Sequence, residues 1–203
     1  GEEKVTQVLN SLLPTPPITV DNFVAENPTD IVQLVQDSLL PIHATPTTNP
    51  SPVENALGQG LTNVTVMSIA EISAAILNNG NAPQPELLRA IRPPDAADWQ
   101  TVDSGLPTTP LMTSATAQQL LDLMLESTIN GTAQAAAQDE LTIGGHAAIA
   151  LSGEQTLSWF TGFLMTDTRQ GYAVALVLEN TSDYELAAEI GGIALQSASE
   201  IAS

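Results

Sequence analysis

Residues 171–179, GYAVALVLE, constrain the fold more than any other stretch. Tyr172, Val174, Leu176 and Leu178 alternate with Ala173, Ala175 and Val177. The composition is that of a strand, without proline. Both of its faces are apolar, so it is expected to be covered on both sides. Two strand-like runs precede it, at about 140–150 and 157–165. The connections are short, which favours antiparallel pairing over a crossover. Ser182 and Glu185 then fit a capping box opening a last helix, with Leu186, Ile190, Ile193 and Ala194 expected inward.

Upstream, VMSIAEISAAILNNG puts Ile69, Ile72, Ser73 and Ile76 on one helix face, and Asn79-Gly80 supplies the stop. Residues 81–112 are proline-rich and expected to be mostly irregular. Ser114 is positioned to cap a second helix with Ala117, Leu120, Leu121 and Met124 inward. The first 53 residues read as a separate helical, proline-rich segment. Val5, Val8, Leu9 and Leu12 have helical spacing, as do Ile31, Leu34, Val35 and Leu39. The stretch from His43 to Pro52 is a linker by composition. The predicted fold is therefore α/β (α+β): an antiparallel sheet of at least three strands flanked by helices, over 54–203.

Composition narrows the function. The chain has 203 residues, enough for one domain, and 43% of them are apolar, enough for a core. Acidic residues number 23 against 4 basic, a net charge of −19. Such a field repels phosphate backbones and anionic lipid heads, so nucleic-acid binding is not expected. There is no cysteine, which excludes thiol nucleophiles and zinc–cysteine sites. No apolar run reaches the roughly 20 residues of a membrane span. The N-terminus has no signal-peptide character, which fits a piece of a longer protein. No cofactor or metal is expected: His43 and His146 have no ligand spacing, and no calcium-loop pattern occurs. Asp103-Ser104-Gly105 has the form of an aspartic-protease turn, but Leu106 follows where a hydroxyl residue belongs, and an ordinary turn is the better reading.

Four ordered stretches resemble the penicillin-binding proteins, in the C-terminal half of their transpeptidase domain. They are ALGQGLTNVTVMSIAEISAAILNNG, SATAQQLLDLMLESTINGTAQAA, SWFTGF and YAVALVLEN. The resemblance implies a partial serine β-lactamase/penicillin-binding-protein-like fold and a cell-envelope, extracytoplasmic location. It also implies three catalytic motifs. In Ser-x-x-Lys, a serine nucleophile is activated by lysine; Ser-x-Asn and Lys-Thr-Gly complete the site.

This chain contains none of them. Its one lysine is Lys4, and three residues earlier stands Gly1. No serine is followed two residues later by asparagine. Aligning Gly145 and Ala150 with the family's third-strand motif puts His146 at the lysine position, Ala147 at the threonine and Ala148 at the glycine. Ala147, Ala148 and Ile149 are expected to make that rim apolar. Imidazole is a poor stand-in for an ammonium group, being largely uncharged at neutral pH. In strand context, His146 is more simply an ordinary histidine, and Trp159 and Phe160 are core aromatics.

The sequence thus predicts no catalytic residue, with a degenerate motif at His146, Ala147 and Ala148. It points to an inactive domain with a scaffolding or protein-interaction role. The alternative is a fragment of a D,D-transpeptidase whose serine motifs lie upstream; a third reading is an acidic domain with an unrelated ligand. The resemblance further implies that strand 171–179 is an edge pairing with an upstream segment, a second copy or another protein. Membrane contact is expected only through a parent segment outside this sequence.

Overall fold

The computed structural model describes residues 43–44, 62–83, 90–91, 97–101, 108–152, 154–166 and 171–201. The two N-terminal helices expected from spacing, most of the linker and Asp103-Ser104-Gly105 fall outside them. Strands β1 (His43–Ala44) and β2 (Thr62–Asn63) pair antiparallel. The start of the expected linker is therefore a short strand.

Helix α1 (Val66–Leu77) follows. Thr65 caps it, its side chain accepting from the Ser68 N–H at 3.0 Å. Ser73, Ala75 and Ile76 are buried, and Ile69 and Ile72 half-buried, close to the expected face. The helix ends through left-handed Asn79 (φ 53°) and Gly80 (φ 93°), with the Gly80 N–H donating to Ala75 O at 2.7 Å. Gly80 O accepts from the Leu111 N–H at 2.9 Å, and a Cβ on Gly80 would collide with Met112 O.

Within 81–112, expected to be mostly irregular, two short antiparallel ladders are described. β3 (Asn81–Ala82) pairs with β6 (Thr109–Pro110), and β4 (Ala90–Ile91) with β5 (Gln100–Thr101). Helix α2 (Ser114–Asn130) is capped by Thr113, one residue before the expected Ser114. Ala117, Met124 and Thr128 are its buried residues. A 3-10 turn at Gln134–Ala136 leads into the sheet.

The main sheet is a meander of β7 (Thr142–Ser152), β8 (Gln155–Met165) and β9 (Gly171–Glu179), in the order β7-β8-β9. Both pairings are antiparallel, as the short connections require. Helix α3 (Tyr184–Ile201) closes the domain. Helices α1 and α2 cover one face and α3 the other, so β9 lies between α1 and α3. Every residue from Tyr172 to Leu178 is half-buried, which explains why apolar side chains occupy both of its faces.

The α3 face holds the larger core cluster: Phe160, Ile143, Ala147, Leu164, Ala187, Ala188 and Leu195. Phe160 is fully buried, whereas Trp159, on the opposite side of the strand, is half-buried. Only one of the two aromatics is thus a full core residue. The Phe160 ring also explains a second departure. The buried residues of α3 are Ala187, Ala188, Gly191, Gly192 and Leu195, not Leu186, Ile190, Ile193 and Ala194. A Cβ at Gly191 would overlap the ring, and one at Gly192 the backbone of Ala136. Close approach selects the smallest residues for the inner face and turns the larger aliphatics outward. The cap is Asp183 rather than Ser182: its carboxylate accepts from the Leu186 N–H at 2.9 Å.

Candidate functional site

His146, Ala147 and Ala148 lie mid-strand on β7, opposite Thr161, Phe160 and Trp159 of β8. Strand alternation separates them. His146 is exposed on the α1/α2 face, and half-buried Ala148 shares that side. Ala147, 1% exposed, points into the α3-side core. Ile149 is on Ala147's side and 43% exposed. The expected apolar rim is therefore split between the faces, and only the Ala148 methyl adjoins His146.

Thr132, in the turn after α2, ties this strand down. Its hydroxyl oxygen accepts from the Ala147 N–H at 3.3 Å and lies 3.4 Å from His146 Nδ1. Nearby, the buried Thr128 hydroxyl is 2.8 Å from both Leu125 O and Ile143 O. These two threonines fix α2 and its exit against β7. Thr132 lies within the second of the four stretches quoted from the sequence; its tether to β7 was not visible there, because the contact spans 15 positions.

Beside His146 a groove of about 340 Å³ runs between α1, α2 and the sheet. Its walls are Ile69, Ile72 and Ile76 of α1, and Leu120, Leu123 and Met124 of α2. Ser73, Ser127, Thr161, Gly145 and His146 supply its polar edge. The Ser73 and Thr161 hydroxyls are 2.6 Å apart and satisfy each other. Among the described residues the lining holds no carboxylate, lysine or arginine, and His146 is the one ionisable side chain there. Such walls suit an aliphatic surface. They offer no permanent cation to a substrate carboxylate and no lysine to activate a serine.

Glu71 on α1 is half-buried, and desolvation raises its carboxyl above the usual range. Among the described residues, no group of three or more metal-ligating side chains is placed to hold an ion, and no helix is long and apolar enough to cross a membrane.

The family pattern "Penicillin binding protein transpeptidase domain" matches residues 32–196. The chain belongs to this family. The match begins upstream of residue 54 and runs through all three strands of the main sheet.

Solved structures agree on the fold. The D,D-transpeptidase domain of a peptidoglycan glycosyltransferase from Eggerthella lenta superposes with a TM-score of 0.68 at 20% identity, covering 100% of this chain and 49% of that one. An imipenem acyl-enzyme of penicillin-binding protein A from M. tuberculosis gives 0.64 at 22% identity, covering 96% and 41%. A peptidoglycan glycosyltransferase from Burkholderia ambifaria gives 0.57 at 15%, covering 98% and 57%. The chain thus spans about half the length of the structures it resembles. No curated protein matches it.

Proposed function

We propose that this transpeptidase-family domain is catalytically inactive and serves as a scaffolding or protein-interaction domain in the bacterial cell envelope. The observation that carries the reading is the third strand. Where the family's chemistry needs a cation and a hydroxyl, this chain has His146, Ala147 and Ala148, and the groove beside them is aliphatic. Truncation does not account for that loss, because the position lies inside the matched region. Relatives described as peptidoglycan enzymes support the envelope location.

The reading is tested by acylation, because a relative is described as an imipenem acyl-enzyme. The purified chain, incubated with excess fluorescent penicillin, is expected to keep its unmodified mass. Stoichiometric labelling of any serine overturns the reading.

The chain's coverage of only about half of its relatives favours a second reading, a fragment of a D,D-transpeptidase. A Ser-x-x-Lys motif encoded directly upstream would support it.

The contact surface in the first reading is the free edge of β9, which pairs only with β8 among the described residues. The run carries no lysine or proline to discourage strand addition, and only Glu179 supplies charge. An upstream segment, a second copy or another protein would complete the ladder. Hydrogen exchange over 172–178 should slow only when such a partner is present. Full protection in the dilute monomer contradicts this.

A further inference from the structure

Helix α3 is apolar on two opposite sides. Its inner side packs on the sheet through Ala187, Ala188, Gly191, Gly192 and Leu195. Its outer side carries Leu186, Ile190 and Ile193, which are 42%, 40% and 49% exposed. These three follow one another at intervals of four and three, so they form a single stripe.

Glu185 and Glu189, one turn apart, run along one flank of this stripe, and both are exposed. On α3 itself the charged side chains beside the stripe, Glu185 and Glu189, are both acidic, in a chain with 23 acidic and 4 basic residues. An anionic membrane surface would be repelled by that flank. A second copy would bring another net charge of −19 and another row of glutamates.

We propose that the outer face of α3 docks an amphipathic helix of a protein partner, with aliphatic anchors on the stripe and lysines or arginines opposite Glu185 and Glu189. The helix has 18 residues, so the partner helix runs along it for about 27 Å. Burial of the aliphatic stripe supplies affinity, and the acidic row supplies orientation and a salt-dependent on-rate. The site is separate from the groove at His146, and the inference does not depend on whether the domain turns over substrate.

The test uses three fluorescent synthetic peptides of the length of α3. One carries a leucine stripe flanked by a lysine row, the second the same stripe flanked by glutamates, and the third the lysine peptide in scrambled order. The whole chain should bind the first peptide, more weakly as salt rises, and prefer it clearly over the other two. Ile190→Ser/Ile193→Ser should weaken binding at least about tenfold. Glu185→Gln/Glu189→Gln should weaken it roughly fivefold and flatten the salt dependence. Absence of binding, or equal binding of the scrambled peptide, overturns the proposal. So does binding untouched by both double variants. Self-association abolished by Ile190→Ser/Ile193→Ser would instead give the face to a second copy. Refusal of the lysine peptide, with loss of stability in that variant, would give it to a segment of the same chain. Either of those results also overturns the proposal.

Discussion

The two faces of the main sheet solve different problems. On the α3 face, a fully buried Phe160 sits against Gly145, Gly162 and Gly191, and a Cβ on any of the three would crowd the ring. On the α1/α2 face, Phe163, Ile76 and Met124 form a second cluster, but a groove of about 340 Å³ remains beside His146. The first face depends on close fit; the second keeps space. Packing constrains nearly every residue around Phe160, whereas on the groove side the His146 side chain is exposed. The family frame is thus present in a chain that carries His146, Ala147 and Ala148 on β7.

The largest expected effect lies on the close-fitting face. Phe160→Ala should cost roughly 3–5 kcal/mol in urea unfolding, because the ring is completely buried and its glycine-lined socket cannot readily collapse. Trp159→Ala, at a half-buried position, should cost clearly less. Equal costs would erase the distinction between the faces. Gly191→Ala comes next, at about 1–3 kcal/mol, since its new methyl meets the ring directly. A neutral result would mean that α3 can move away from the sheet. His146→Ala should change stability by less than about 0.5 kcal/mol, as expected for an exposed side chain whose one described contact is a 3.4 Å approach to Thr132.

The smallest effect is a pH dependence on helix α1. Burial raises the Glu71 carboxyl, so the folded state holds its proton to higher pH than the unfolded chain. The Glu71 penalty on folding therefore builds as pH rises above the unfolded-state pKa and is complete above the folded-state pKa. That penalty fades as pH falls to the ordinary carboxylate range, where both states are protonated. Glu71→Gln should stabilise the chain at neutral pH and lose its advantage in acid. A glutamine variant less stable at neutral pH would mean that the ionised carboxylate has a favourable partner.

The sheet was legible because strands announce themselves by period. The 171–179 run is β9 from end to end, and the short connections fixed its antiparallel neighbours. The orientation of α3 was not legible from hydrophobicity. Leu186, Ile190 and Ile193 make the stronger apolar stripe, but the depth of Phe160 beneath the helix selects alanines and glycines for the inner face. The same alternation that revealed the strands splits Ala147 from Ala148, so His146, Ala147 and Ala148 do not present three groups to one space. The groove is built from α1, α2 and two strands, and no single stretch of sequence encodes it.

The central claim is that the frame endures without its chemistry, and the most direct measurement tries to restore part of that chemistry. Intact mass should be recorded for the chain carrying His146→Lys and Ala148→Gly after exposure to excess fluorescent penicillin. Both changes fall on the α1/α2 side and leave the Phe160 socket alone. The predicted result is a folded protein of unmodified mass, because the chain contains no Ser-x-x-Lys to acylate. A stoichiometric adduct on a serine would contradict the account, since it would mean that an activated nucleophile had been present throughout.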